Sequence, residues 1–149
     1  MVWPELPFLD GQHALEQLLR LRDSVFCLQD GGELMSWTGG TPTASSANNR
    51  NGVYIRNFGQ GFSFTAPADT TVRTLVVHVG GWSSGGMLTA HLSDGSAADF
   101  TDISSMVAGQ YDRNYTLTYT AASAGQMLTV TWKLTTANGN VTLNAAALR

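Results

Sequence analysis

The chain has 149 residues, enough for one domain, and is 43% hydrophobic but only 13% charged, about half the charged share of an average soluble domain. So little charge excludes an acidic disordered tail, a net charge of -3 has the wrong sign for a nucleic-acid binder, and no apolar run approaches the roughly 20 residues of a membrane span. The single cysteine, Cys27, rules out a disulfide scaffold.

The composition changes near residue 34. Residues 1–33 carry all three glutamates (Glu5, Glu16 and Glu33), and their six carboxylates against Arg20 and Arg22 leave a balance of -4. Residues 34–149 balance to +1 and are rich in Thr, Ser, Gly, Asn and Val. The first vocabulary is that of helices and the second that of strands and turns. Met1–Glu5 lacks the basic region of a secretion signal, and Pro4 and Pro7 interrupt the apolar stretch around them. Leu15, Leu18, Leu19, Arg22, Val25 and Phe26 then follow helical spacing, and Asp30-Gly31-Gly32 supplies a stop. The spacing predicts an α-helix over about 12–28, with Cys27 packing beside its apolar face as a small hydrophobe.

From residue 35 the period becomes two. A strand is expected at Met35–Thr38, then around Val53 and Ile55, and around Phe62 and Phe64. Arg73, Leu75, Val77 and Val79 share one strand face. Leu88, Ala90 and Leu92 share another, as do Tyr115, Leu117 and Tyr119. Leu128, Val130, Trp132 and Leu134 alternate with Thr129, Thr131 and Lys133, which places Trp132 in the core; Val141, Leu143 and Ala145 close the series. Turn signals such as Gly59-Gln60-Gly61, Gly80-Gly81, Asp94-Gly95 and Asn138-Gly139 separate the runs. Eight or nine short strands with one apolar and one Thr-rich face predict an all-β antiparallel sandwich. The count favours a jelly-roll-like arrangement over an immunoglobulin-like one. The expected organisation is an atypical helical segment at 1–33 and a β-sandwich module at 34–149.

The strings Ser36-Trp37-Thr38-Gly39-Gly40-Thr41-Pro42-Thr43, Gly61-Phe62-Ser63-Phe64-Thr65-Ala66-Pro67-Ala68-Asp69-Thr70-Thr71, His91-Leu92-Ser93-Asp94-Gly95-Ser96-Ala97, Tyr115-Thr116-Leu117-Thr118-Tyr119 and Ala124-Gly125-Gln126-Met127-Leu128-Thr129-Val130-Thr131-Trp132 form a distinctive set. Residues 35–149 resemble the β-sandwich accessory modules of large secreted bacterial proteins, some of them placed beside glycoside hydrolase domains. The resemblance implies a non-catalytic, carbohydrate-binding-like role outside the cell within a longer secreted chain. It carries no binding motif, so no site residue follows from it. Upstream of Trp37 it stops: further strands are expected there in such modules, and this chain has its Leu-rich stretch instead. A sheet edge left open, or the helix itself, would then offer a surface for dimerisation.

Candidate site residues come from the residues themselves. Sugar rings present C–H faces to aromatic side chains, and their hydroxyls take planar amides and guanidinium groups. The loop Thr41–Gly52 offers Asn48, Asn49 and Arg50, bracketed by Trp37 and Tyr54, and Trp82 stands among the glycines and serines of 80–86. A tryptophan so placed either stacks on a ligand or folds back to cap the sandwich. Trp37 is balanced between core and surface. Asp94, Asp99 and Asp102 lie close enough in sequence to offer oxygens to calcium, the alternative being ordinary turn chemistry. No catalytic residues are expected. The strand region has no glutamate, its Asp94, Asp99, Asp102 and Asp112 are read as turn residues, and no nucleophile elbow occurs. His78 and His91, on successive expected strands, are placed as neighbours across a hairpin without a third metal ligand. The expected function is glycan binding or adhesion, with a ligand-free structural spacer as the main rival and a small Asp-based hydrolase as a third.

Overall fold

A computed structural model describes residues 25–29, 31–39 and 44–149 of the chain. The elements in chain order are β1 (Val25–Leu28), β2 (Met35–Thr38), β3 (Ser45–Asn49), β4 (Gly52–Ile55), β5 (Gly61–Ala68), β6 (Arg73–Ser84), β7 (Gly86–Leu92), β8 (Phe100–Ile103), β9 (Val107–Tyr119), β10 (Gln126–Leu134) and β11 (Asn140–Leu148). All are strands, and every pairing is antiparallel. No helix among the described residues is long and apolar enough to cross a membrane.

Two sheets carry the fold. Five strands lie in the order β1-β4-β11-β6-β9 and four in the order β5-β10-β7-β8; β2 and β3 form a separate ladder. The alternation read from the sequence decides which side chains enter the space between the sheets. Val53, Ile55, Leu75, Val77, Val79, Val141 and Leu143 point inward from the five-stranded sheet. They meet Phe62, Leu88, Ala90, Leu128, Val130, Trp132 and Leu134 from the four-stranded one. Stacking two apolar sheet faces is the only way such strands remove both from water. Trp132 is fully buried, and its indole N–H donates to the Gly80 carbonyl of the opposite sheet at 3.1 Å. A side chain at Gly86 would collide with the Trp132 ring, so Gly86 is held by packing.

The chain changes sheets at Gly85, between β6 and β7. Hence Gly80-Gly81-Trp82 is not a turn but the far end of a 12-residue strand. His78 and His91, expected to be neighbours, sit on different sheets. Residues 25–28, expected at the end of a helix, are strand β1 at the edge of the five-stranded sheet, paired with β4 through Val25↔Ile55 to Leu28↔Gly52. Phe26 gains a stack on Tyr54 there, which helical spacing does not foresee. Cys27 is exposed on this edge strand. The rest of the expected helix, with the dimer contact assigned to it, lies outside the described residues.

Candidate functional site

The outward face of the five-stranded sheet is built by the same alternation as the core. Cross-strand register places Phe26, Tyr54, Thr142, Gly80 and Asp112 in one row across β1, β4, β11, β6 and β9. One row on, Asn140, Trp82 and Gln110 are aligned across β11, β6 and β9. One row back, His78 stands opposite Asn114.

Trp82 is 54% exposed on this face. Gly80, two residues before it, has no side chain, and a Cβ there would press on the Thr142 hydroxyl and the Asp112 carboxylate. The face is therefore low beside Trp82. From the strand spacing, the Cα atoms of Trp82 and Tyr54 are about 12 Å apart.

At the Tyr54 end, Phe26 and Tyr54 stack with ring centroids 5.1 Å apart and planes inclined at 20°. The Arg56 guanidinium lies 5.3 Å from the Tyr54 centroid and 5.7 Å from that of Phe26, and it donates to the Tyr54 hydroxyl at 3.5 Å. Two aromatic rings and a cation thus make a preorganised half-exposed platform.

The β1–β2 connection crosses the β9 side of the face. Arg50 donates to the carbonyls of Gly31 and Gly32, both at 3.2 Å, and the Gly31 N–H donates to the Arg50 carbonyl at 2.9 Å. Gly32 rests directly on Asp112 and Gln110, where a Cβ would overlap the Asp112 carboxylate. Glu33 then accepts from Asn114 at 3.0 Å and contacts His78 Nδ1 at 3.1 Å. Burial raises the pKa of Asp112 above the ordinary aspartate value, and the nearby Glu33 carboxylate adds to the rise; the Asn144 amide, at 3.5 Å, opposes both. Asn144 is itself buried, and its side-chain oxygen has no hydrogen-bond partner. The Asp112 carboxylate abuts Gly32 and accepts from the Asn144 amide, while Glu33 contacts Asn114 and His78, so both carboxylates help hold the strap in place.

The sequence-predicted residues divide accordingly. Trp82 and Tyr54 share this face. Arg50 sits at its margin with its guanidinium committed to the strap carbonyls. Trp37 is buried at 9% exposure, outside the sandwich core cluster. Asn48 has φ 54° and its backbone N–H donates to the Ser36 hydroxyl, while Asn49 donates to the Ser46 hydroxyl and accepts from the Asn51 N–H. These two belong to the β2–β3 ladder and its exit turn and do not meet Trp82. Asp94 caps its own turn through the N–H and hydroxyl of Ser96 and also accepts the Ala122 N–H; the Ser96 contacts hold its pKa below the usual range. Asp99 pairs with His91 at 2.6 Å, and Asp102 accepts the Tyr115 hydroxyl at 2.7 Å. The three carboxylates expected as calcium ligands thus have separate partners, and no group of three or more His, Cys, Asp or Glu able to hold a metal occurs among the described residues. Asp102 lies in β8 and Asp112 in mid-β9, not in turns. The residues that sequence reading missed are Phe26, Glu33, Arg56, Asn114 and Asn144. Glu33 reaches its partners across 45 and 81 residues, a distance no local signal bridges.

No family model and no curated protein matches the chain. Solved structures do. TmCBM61, determined in complex with beta-1,4-galactotriose, superposes with a TM-score of 0.53 at 11% identity, over 85% of this chain and 81% of its own. The chain has the β-sandwich fold of a carbohydrate-binding module. The CBM22-1 xylan-binding domain from Paenibacillus barcinonensis Xyn10C is also similar, with a TM-score of 0.48 at 13% identity over 85% of both chains.

Proposed function

We propose that this protein is a non-catalytic carbohydrate-binding module of jelly-roll type, and that it takes its ligand on the outward face of the five-stranded sheet. The observation that carries the reading is Trp82: a large aromatic ring, more than half exposed, on a rigid strand rather than a loop. Its indole has one face for the C–H surface of a sugar. Gln110 flanks it in register with an exposed amide suited to hydroxyls. A strand-borne platform loses little entropy on binding. The likeness of fold to a module solved with a galactotriose supports the same reading. Low charge and Thr-rich strand faces suit an extracellular setting within a larger secreted bacterial protein, and we place the module there.

Affinity electrophoresis against a panel of soluble polysaccharides tests it. The reading expects retardation by at least one polymer and its loss in Trp82→Ala. A spacer domain would migrate unretarded on every polymer. An enzyme would release reducing ends, which this reading does not expect.

A further inference from the structure

We infer that the glycan bound by this face carries a carboxylate, and that Arg56 receives it while Trp82 stacks on a neighbouring sugar ring. The inference rests on the carbohydrate-binding reading above and names the ligand class.

Three observations lead to it. First, the aromatic surface at the Tyr54 end is already occupied. Phe26 covers one side of Tyr54 and the Arg56 guanidinium lies over both rings. A neutral sugar arriving there meets a cation, not a free ring face. Second, among the described residues that cation has no carboxylate partner: the acid–base contacts join Arg73 to Asp69, His78 to Glu33 and His91 to Asp99, and none includes Arg56. Its one side-chain hydrogen bond among the described residues, to the Tyr54 hydroxyl, leaves most of its N–H fork unused. Stacking holds the guanidinium in place, and its planar fork matches a carboxylate in bidentate fashion. Third, Arg56 follows the last β4 residue paired to β11, Ile55↔Val141. Continuing that register sets it opposite Asn140 and therefore in the row of Trp82. Two strand spacings, about 10 Å, separate Arg56 from Trp82. A chain of a few sugars lying across the strands spans that gap.

The carboxylates of the same face do not oppose this. Asp112 lies on β9, three strand spacings and one row from Arg56, or about 16 Å. That exceeds the screening length of about 8 Å at physiological salt. Glu33 is on the same β9 side and is engaged by His78 and Asn114. An anionic sugar at Arg56 therefore meets one positive charge and little repulsion.

The experiment is isothermal titration of the full chain with polygalacturonate and glucuronoxylan oligosaccharides, each beside its methyl-esterified form. Dextran sulfate serves as a plain polyanion. The expected result is about tenfold tighter binding of at least one free acid than of its ester, from one charge-assisted fork. That preference should weaken with added salt. Arg56→Gln should bind acid and ester alike, and Arg56→Lys should recover only part of the preference; melting temperatures of the variants would establish that they are folded. Equal affinity for acid and ester, or a preference that survives Arg56→Gln, overturns the inference and leaves the carbohydrate-binding reading standing. Equal binding of dextran sulfate and uronate overturns carboxylate recognition in the same way. Binding of no polysaccharide, neutral galactan included, overturns both.

Discussion

The two outer faces of the sandwich are made by the same strand alternation and differ in almost everything else. On the four-stranded sheet, Ser63, Thr131, Thr89 and Thr101 form one row and Thr65, Thr129 and His91 another. Thr89 and Thr131 hydrogen-bond to each other. This face is solvated without charge clusters or large rings at its centre. On the five-stranded sheet, the equivalent positions hold Trp82, Tyr54, His78 and Asp112, with a glycine at 80 and a strap of chain across one side. Hydroxyl ladders keep a sheet soluble and its pairing satisfied. Exposed rings and converging polar groups cost solubility, and the proposed ligand site rests on their concentration on this face.

The largest expected effect lies between the faces, at Trp132. Trp132→Ala should cost about 3–5 kcal/mol, measured by urea unfolding. It should also degrade the five-stranded face, because the indole holds the Gly80 carbonyl from below. Gly86→Ala should act in the same direction through collision with that ring. Next comes the contrast itself. Trp82→Ala should change stability by no more than about 0.5 kcal/mol yet lose about 2 kcal/mol or more of glycan affinity. Thr131→Ala on the opposite face should leave affinity intact. If Thr131→Ala weakens binding as much as Trp82→Ala, the two faces are not functionally distinct.

Much of this division was legible in the sequence and some was not, for physical reasons. The core was: Leu128, Val130, Trp132 and Leu134 are buried as their alternation predicts, because a period of two has one inward solution once two sheets stack. Trp82 stands out in the sequence as a candidate, but the glycines around it point to a turn. Gly80 and Gly81 look like turn punctuation. Here they lie within the far end of β6 because Thr142, Asp112, Ser84 and Tyr111 crowd the space a Cβ would need. Val25–Leu28 fitted helical spacing as well as a strand, and only pairing with β4 decides it. Asn48, Asn49 and Arg50 looked like a ligand loop because amides and guanidinium groups serve turns and straps as readily as sugars. The anchor of Glu33, His78 and Asn114 is built wholly from long-range contacts, so it left no local mark.

Smaller effects sharpen the role of the strap. Glu33→Gln should cost about 0.5–1.5 kcal/mol, the range of a lost side-chain hydrogen bond. Amides near Gly31–Leu34 should exchange hydrogen faster than in wild type, while those of the four-stranded sheet stay unchanged. Asp112 gives a pH signature. Its folded pKa is raised, first by burial and then by Glu33, so the folded chain holds this proton more tightly than the unfolded one. Stability contributed at this site is therefore greatest in acid and falls as pH rises through the ordinary aspartate range to the raised value. Asp112→Asn should flatten that decline in a melting-temperature series. A steeper decline in the variant would contradict the assignment. Asp69 has the opposite sign: Arg73 and Thr71 lower its pKa, so its contribution is present above the ordinary aspartate value and lost in stronger acid. Asp69→Asn should remove that loss with no effect on the binding face.

The central claim is that ligand binds over Trp82 on the five-stranded sheet. The most direct measurement is an indole N–H spectrum of the isotopically labelled chain, its Trp82 signal assigned with Trp82→Phe, during titration with a polysaccharide that retards it. The account predicts a progressive shift of the Trp82 signal, with the Trp132 signal unmoved. Shifts confined to the His91 and Thr129 face, with Trp82 unchanged at saturation, would contradict it.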